Sequence, residues 1–330
     1  MAETIKSSPL VSIVVITYNS SRYVLETLES IKSQTYKNIE LVISDDCSTD
    51  ETVAICQEWI DENQNAFSGA LVISAKKNGG VPANCNQGLN NSHGQWVKLI
   101  AGDDILQQKC IESFLDAASR NPDASCFASD MYVMQGDVIR KKYSILRHRF
   151  PKNASKQLDN FIKYGPILGP ALFFKTNALR QVGGYDERYR GFEDYPMYIK
   201  LTLGGYYFVV ISSPLVLYRE HAESITKSGS SLLSSSISEY MQSTLYPLAE
   251  ERNLSMFIRH KKLHKHLSGA DIKRTFILKL KIRFGDPYYW LWKLFSVFNI
   301  SRHAQVRVVR VCNGNNGFFY KDEAILGKNP

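Results

Sequence analysis

The apolar positions of the first hundred residues fall into short continuous runs separated by helix-like spacing. Runs at 11–16, 39–43, 71–74 and 96–100 predict strands that are covered on both faces, as in a parallel sheet. Apolar residues at 24, 28 and 31 predict a helix, a Ser48–Glu51 capping box predicts another, and a third is predicted at 84–91. This β-α-β-α order predicts an α/β fold with a mostly parallel sheet and right-handed crossovers.

Beyond residue 125 the pattern is mixed. Strands are predicted at 126–134 and 171–174, a helix at 195–203, and two edge strands at 207–210 and 215–218. The Ser-rich segment 228–238 predicts a linker, and the spacing after about residue 245 predicts helices.

Polar clusters follow each of the first four predicted strands. In an open α/β sheet, ligands bind in the loops beyond the carboxyl ends of the strands, so these clusters predict a single site. The clusters are Thr17-Tyr18-Asn19, Asp45-Asp46, Lys77-Asn78-Gly79-Gly80 and Asp103-Asp104.

Several residues of these clusters suit a nucleotide or a metal ion. Asp103 and Asp104 can share a divalent ion with a diphosphate, or they form a turn and an N-cap for a helix beginning near residue 107. Asp46 can accept a hydrogen bond from a base or a ribose, or it caps a helix. Asn78 and Gly79 allow close approach of ribose or phosphate, or they form a plain turn.

Two candidates lie in the second half of the chain. Glu193-Asp194 immediately precedes a predicted helix, where one carboxylate can act as a general base oriented by its neighbour. The alternative is a pair of acids that complements the helix dipole. His221 follows an aromatic-rich strand and is a metal-ligand candidate, although a single histidine is more often structural.

Together, these elements resemble the GT-A fold, family 2 glycosyltransferases of the bacterial surface-polysaccharide type, over about residues 9–226. The resemblance rests on the order of the elements as well as on their letters. The matching elements are Ser12-Ile13-Val14-Val15-Ile16-Thr17-Tyr18-Asn19, Asp45-Asp46-Cys47-Ser48-Thr49-Asp50, Asn86-Gln87-Gly88, Gly102-Asp103-Asp104, Gly183-Gly184-Tyr185-Asp186-Glu187 with Gly191-Phe192-Glu193-Asp194, and Tyr218-Arg219-Glu220-His221-Ala222-Glu223-Ser224.

The resemblance implies a catalytic domain at 1–227, with a nucleotide-binding half at about 9–104 and an acceptor half at about 105–227, followed by a helical region at 228–330. It implies inverting transfer of a sugar from a nucleotide-diphosphate donor, with UDP favoured, to a hydroxyl of a glycan acceptor that can be linked to a polyprenyl diphosphate. It further implies Asp194 as the base beside Glu193, and Asp104 and His221 as ligands of Mn²⁺ or Mg²⁺. The implied nucleotide contacts are Thr17, Tyr18, Asn19, Asp46, Asn78, Gly79 and Asp103.

Two positions depart from the family pattern. Ala101 stands where the family often has Asp, and Cys85 stands where it often has Arg, so a basic donor contact would have to come from Lys77 or elsewhere. The alternatives are a non-catalytic nucleotide-sugar-binding protein, a nucleotidyltransferase, and a nucleic-acid binder that acts through the tail. Retention of Asp194 and His221 argues against the first. The chain has neither a Gly-rich, Lys-bearing phosphate loop nor a recognised nucleic-acid motif.

The net charge of +8 is unevenly distributed, because residues 255–330 carry 15 Lys/Arg against 4 Asp/Glu, a local +11. Basic and aromatic residues interleaved in this tail predict an anionic membrane interface, and the alternative is a helical subdomain with the aromatics packed inside. These residues are Lys279, Lys281, Arg283, Phe284, Tyr288, Tyr289, Trp290, Trp292, Lys293, Phe295 and Phe298.

The six cysteines are scattered and form no C-x-x-C pair, which predicts reduced thiols. No apolar run approaches the roughly 18 residues of a membrane span. The expected location is therefore the cytoplasm, with peripheral attachment to the inner face of the cell membrane if the tail binds lipid.

Overall fold

A computed structural model describes residues 8–136, 138–221, 231–254, 309–314 and 317–322. Its strands are β1 (Val11–Thr17), β2 (Ile39–Asp45), β3 (Gly69–Ser74), β4 (Trp96–Ala101), β5 (Ile105–Leu106), β6 (Cys126–Gln135), β7 (Val138–Tyr143), β8 (Leu172–Lys175), β9 (Phe208–Arg219), β10 (Val309–Gly314) and β11 (Gly317–Asp322). Its α-helices are α1 (Val24–Lys32), α2 (Thr52–Asn63), α3 (Val81–Asn90), α4 (Cys110–Ser119), α5 (Ala154–Tyr164), α6 (Thr176–Gln181), α7 (Asp194–Leu203), α8 (Ser231–Tyr240) and α9 (Tyr246–Glu251). Short 3-10 helices lie at Gln64–Ala66, Arg147–Arg149 and Gly169–Ala171, and a π-helical turn, Met241–Leu245, joins α8 to α9.

The strands form one central sheet in the order β11-β10-β7-β6-β8-β4-β1-β2-β3, with β9 paired to β6 and β5 paired to β9. β1 to β4 run parallel, and β1 lies between β2 and β4. The acceptor half joins this sheet through β8, which is antiparallel to β4 and to β6. The predicted α/β fold, a central sheet flanked by helices, is confirmed.

The first strand is buried on both faces, as its continuous apolar run predicts. Ile13 and Val15 pack into the core that contains Leu28 of α1, whereas Val14 packs into the opposite core with Leu89 of α3. All of these side chains are at most 2 % exposed. Because successive side chains of a strand point to opposite faces, only a sheet with helices on both faces can bury such a run.

The register of the parallel strands brings their carboxyl ends to one edge. Thr17 lies opposite Asp45, and Asp45 lies opposite Ser74. On the other side of β1, Ile16 lies opposite Ala101. The loops that follow these strands therefore leave the sheet side by side.

The predicted Ser48–Glu51 capping box is wrong. The Ser48 hydroxyl donates to the Asp45 carboxylate, and the Glu51 side chain makes no cap hydrogen bond. Asp50 caps α2 instead, because its carboxylate accepts the Thr52 amide at 3.0 Å.

Four longer-range predictions also differ from the structure. A two-residue strand, β5, follows the Asp103-Asp104 turn, so α4 begins at Cys110 and not near residue 107. The two predicted edge strands are one strand, β9, whose irregular pairing with β6 continues across the gap between them. The Ser-rich segment is largely helical, since α8 occupies Ser231–Tyr240. The C-terminal region is not helical throughout, because β10 and β11 form a hairpin that reaches β7.

The basic, aromatic-rich part of the tail at 255–308, including the predicted membrane-binding residues, lies outside the described residues. Within the described part of the chain, no helix is long and apolar enough to cross a bilayer. Free thiols are found at Cys47, Cys56, Cys85, Cys110 and Cys126.

Close packing of α3 on β1 generates the first prediction. A Cβ added at Gly88 would lie 2.2 Å from Val14 Cγ1. Although alanine normally favours a helix over glycine by up to about 1 kcal/mol, this overlap should make Gly88→Ala destabilising by about 1–3 kcal/mol. Urea unfolding measures the change. Gly69→Ala is the control, since nothing lies within 4 Å of its added Cβ, and a wild-type stability for Gly88→Ala would contradict the packing.

Candidate active site

The end of β1 is held by its neighbours. The Thr17 hydroxyl donates to Asp45 at 2.9 Å, and the Asn84 side chain donates to the Thr17 carbonyl at 3.0 Å. Thr17 is only 1 % exposed. The structure therefore gives this predicted nucleotide contact a supporting position beneath the loop.

The next two residues form a fixed turn at the surface. Asn19 has a φ of 48°, its amide donates to the Ser48 hydroxyl at 2.8 Å, and its side-chain oxygen accepts the Thr49 amide at 2.9 Å. Tyr18 is 50 % exposed. The loop thus presents an aromatic ring to solvent from a backbone that is bound to the loop after β2.

Asp46 connects the loop after β2 to the loop after β3. Its two carboxylate oxygens accept the amides of Gly79 at 2.6 Å and Gly80 at 2.8 Å, and the Asn78 side chain donates to its carbonyl at 3.3 Å. The structure therefore brings together Asp46, Asn78 and Gly79, as the sequence predicts. Arg190, from the acceptor half, donates to the Asn78 side-chain oxygen at 2.7 Å and so closes this cluster.

Arg219, at the end of β9, forms hydrogen bonds to the turn after β4. The Arg219 guanidinium donates to the Asp103 carbonyl at 2.9 Å and forms an ion pair with Glu26 of α1. The Arg219 amide donates to the Asp104 carboxylate at 2.8 Å. Two residues further on, His221 Nε2 lies 2.8 Å from Asp103 Oδ2. Both of these side chains remain partly accessible, His221 at 19 % and Asp103 at 25 %.

Asp104, the predicted metal ligand, lies in the interior of this turn. It is 0 % exposed, and its Oδ2 is buried without a hydrogen-bond partner among the described residues. Burial, followed by the charge of Asp103, raises the pKa of Asp104 well above its usual range. The solvent-facing carboxylate of the pair is Asp103.

Asp103 and His221 fit a divalent ion. Their side chains lie within hydrogen-bond distance of each other, 2.8 Å, and a carboxylate and an imidazole are groups that would hold Mn²⁺ or Mg²⁺. No cluster of three or more His, Cys, Asp or Glu is present among the described residues. The diphosphate of a donor would offer further oxygen ligands to such an ion.

Glu193 and Asp194 line a cavity of about 100 Å³ together with Ile100 and Ala101 of β4. Ala101 is two residues before Asp103, so the paired acids open towards the same strand end as the metal candidates. Gly169 forms another part of the wall, and a Cβ added there would lie 2.2 Å from Asp194 Oδ2. Only glycine lets this backbone approach the carboxylate so closely.

The two acids differ in their tendency to ionise. Burial raises the pKa of Glu193 to about 8, and the neighbouring charge of Asp194 adds to that rise. Burial also raises the pKa of Asp194 to about 6, while Tyr198, the Gly169 amide and Lys98 oppose that rise. Two adjacent carboxylates do not both ionise readily. Near neutral pH, Asp194 is therefore the ionised member and Glu193 the protonated one.

Lys98 of β4 supports this cavity from inside the protein. It is 0 % exposed, and its ammonium donates to the carbonyls of Pro170 and Leu99. Burial lowers the pKa of Lys98 to about 8. The lysine thereby holds the 169–171 turn against Asp194.

Sequence reasoning did not identify Lys98, Gly169 or Arg190 as parts of the site, and it assigned no role to Arg219 beyond its place in the Tyr218–Ser224 element. Lys98 was the most detectable, since a lysine within an otherwise apolar strand must find buried partners. The other three sit in loops or at a strand end. Their role depends on which segment lies opposite them.

Known proteins resemble this chain in sequence and in fold. The family model for glycosyl transferase family 2 matches residues 12–182. An uncharacterized glycosyltransferase of Methanocaldococcus jannaschii is 28% identical over 213 residues, covering 64% of this chain and 71% of that protein. Chondroitin synthase of Escherichia coli is 26% identical over 201 residues, covering 60% of this chain but 27% of the synthase.

Solved structures with a similar fold include two nucleotide complexes. S. aureus TarS 1–349 in complex with UDP-GlcNAc has a TM-score of 0.59 at 20% identity, covering 80% of this chain and 77% of that one. The mannosyltransferase PcManGT from Pyrobaculum calidifontis, in complex with GDP-Man and Mn²⁺, has a TM-score of 0.51 at 16% identity, covering 89% and 86%. The family model spans more than half of the 330 residues, and the chain therefore belongs to glycosyl transferase family 2.

Proposed function

We propose that this glycosyltransferase moves a sugar, with inversion, from a nucleotide-diphosphate donor to a hydroxyl of a glycan acceptor. The observation that carries the proposal is the placement of Asp194. Asp194 has a raised pKa, and it lines a cavity together with Ala101 at the end of β4. The loop that follows this strand end carries Asp103, which is paired with His221. Family membership favours glycosyl transfer over the nucleotidyltransferase alternative.

The nucleotide would lie across the loops after β1 to β4. Tyr18 offers an exposed ring, while the Asp46 cluster, with Asn78 and Gly79, supplies polar groups beside it. UDP is the favoured nucleotide, and the TarS complex with UDP-GlcNAc supports this choice.

Asp103 and His221 would hold a Mn²⁺ or Mg²⁺ ion. When bound, such an ion neutralises negative charge on the departing diphosphate. The Mn²⁺ in the mannosyltransferase complex supports a metal-dependent reaction. Asp104, from its buried position, would keep the turn in place through the Arg219 amide.

Asp194 would accept the proton of the acceptor hydroxyl as that oxygen attacks the anomeric carbon. Attack from the face opposite the departing diphosphate inverts the configuration, so an α-linked donor gives a β-linked product. Protonated Glu193 avoids a second negative charge in the cavity, and the Gly169 turn fixes the position of the base.

The acceptor is proposed to be a glycan in surface-polysaccharide synthesis, of the O-antigen or capsule type. A polyprenyl-diphosphate anchor on that glycan and contact of the tail with the inner face of the cell membrane belong to the same proposal. They rest on the family resemblance and on the +11 charge of residues 255–330.

The base assignment predicts a large effect of one substitution. Asp194→Asn should lower transfer from a radiolabelled nucleotide sugar by roughly 10²-fold or more, because a positioned base is lost. The wild-type rate should rise with pH through about 6, since Asp194 must release its proton to act as a base. UDP affinity should change little in the variant. Rates are measured with a panel of nucleotide sugars and acceptor glycans.

Asp116→Asn is the matched control, since Asp116 forms only an exposed surface pair with Arg120. If Asp194→Asn retained the wild-type rate and pH profile, a different group would be the base. If no nucleotide sugar were cleaved or transferred by wild type under any metal condition, the non-catalytic binding alternative would replace the proposed function.

The metal assignment predicts opposite results for two adjacent aspartates. Asp103→Asn should weaken the apparent Mn²⁺ affinity by at least roughly tenfold, because a ligand is lost. Asp104→Asn should stay near wild type, because the new side chain has nearly the same shape and its amide oxygen can still accept the Arg219 amide. Affinity is read from metal-dependent donor cleavage after chelation, with thermal melting as the folding check. A loss confined to a folded Asp104→Asn variant would reverse the assignment.

A further inference from the structure

A strongly basic surface lies on the acceptor half, away from the basic tail. Residues 138–158 contain seven Lys/Arg and no Asp or Glu. They form β7, the Arg147–Arg149 turn and the first residues of α5. Six of the seven side chains are exposed, and Arg149 is partly buried. Only Lys142 is paired with an acid of the described chain, Asp130 at 3.1 Å.

A cavity of about 220 Å³ opens within this basic surface. It is larger than the Asp194 cavity but smaller than the roughly 300–1,000 Å³ of pockets for drug-sized molecules, a size that suits a single sugar unit. The lining contains Arg149 and no carboxylate. Its aromatic residues are Tyr143, Phe150, Phe161 and Tyr164.

Arg149 is held in place without an acidic partner. The Arg149 guanidinium lies 4.2 Å from the Tyr164 ring centroid. The Arg149 amide donates to the Leu146 carbonyl, and the Arg149 carbonyl accepts the Asn160 side chain at 2.7 Å. Its Nε is buried and has no hydrogen-bond partner in the described chain. A guanidinium that is fixed against a ring and forms no ion pair within the described chain is suited to bind a planar or tetrahedral oxyanion.

Two segments of the cavity wall lead towards the proposed base. The wall residues Gly165 to Ile167 lead along the chain to Gly169, which touches Asp194. The Phe161 carbonyl on another wall accepts the Tyr195 hydroxyl at 2.6 Å, one residue after Asp194. Leu168 and Tyr164, both exposed, extend the apolar surface between the two places.

We propose that this surface, residues 138–167, binds an anionic stretch of the acceptor glycan, with a carboxylate- or phosphate-bearing sugar seated in the aromatic cavity. The aromatic side chains of the cavity can stack on the apolar face of a sugar ring, and the Arg149 guanidinium can bind the sugar's acidic group. The concave, ring-lined shape favours a saccharide over a flat lipid surface. This inference rests on the proposed glycosyl transfer and specifies the acceptor's chemistry.

The test measures binding of the full chain to defined oligosaccharides by calorimetry at two salt concentrations. Hexagalacturonate supplies carboxylates, and phosphorylated mannopentaose supplies phosphate. Methyl-esterified hexagalacturonate is the uncharged control for hexagalacturonate. Wild type should bind at least one acidic oligosaccharide and should bind the methyl ester at least about tenfold more weakly, the scale of a lost charge-assisted hydrogen bond. The salt dependence should follow the charge.

The affinity for the acidic oligosaccharide should fall by about tenfold or more in the triple variant Arg147→Gln/Arg149→Gln/Lys152→Gln. Lys109→Gln/Arg120→Gln, which removes exposed charge elsewhere, should bind like wild type. If the triple variant melts early, Arg147→Gln/Lys152→Gln should still weaken binding, since both side chains are exposed.

The inference would be overturned if wild type bound the methyl ester as tightly as the acid, or if it bound neither acidic oligosaccharide. It would also be overturned if the control variant lost as much affinity as the triple variant. Binding only to anionic vesicles or to duplex DNA, lost in the triple variant, would also overturn it and would identify the other kind of partner. Donor cleavage is assayed in parallel without acceptor. Cleavage without acidic-glycan binding leaves the proposed function standing, whereas binding without cleavage supports the surface and contradicts the function.

Discussion

The site depends most on the contacts that the buried guanidinium of Arg219 makes. From the end of β9 it binds the Asp103 carbonyl and Glu26 of α1, and its own backbone amide holds Asp104. The first and second halves of the chain thus share one charged cluster. A buried charge left without its partner is costly, and this cost keeps the two halves aligned. The same alignment brings His221, two residues later, to Asp103.

The opposite wall of the site depends on close backbone approach. Lys98 binds the Pro170 carbonyl, and the adjacent Gly169 touches the Asp194 carboxylate. The cavity raises the pKa values of Glu193 and Asp194 to different extents, which separates a protonated acid from an ionised one. A general base near neutral pH requires such a separation. The electrostatic arrangement therefore follows from how the 169–171 turn packs on β4.

The sequence predicts the parallel strands well, because β-branched runs such as 11–16 have few other ways to be buried on both faces. It also predicts that Asp46, Asn78 and Gly79 meet. It does not reveal which of Asp103 and Asp104 faces solvent, since a turn sends neighbouring side chains in different directions and only the packing of Arg219 fixes the choice. The joining of β9 into one strand and the pairing of the 309–322 hairpin with β7 depend on distant partners. The basic run at 138–158 is visible in the sequence, but its aromatic cavity exists only once α5 packs beside it.

The most direct measurement is a crystal structure of the full chain grown with UDP and Mn²⁺, with anomalous data collected near the manganese edge. One anomalous peak should lie within bonding distance of Asp103, His221 and the diphosphate. The uracil should lie beside the Asp46 cluster. Asp194 should face the side of the terminal phosphate on which the donor sugar would lie. A peak bound by Asp104 or by residues elsewhere, or a UDP molecule outside the loops after β1 to β4, would contradict the proposed site.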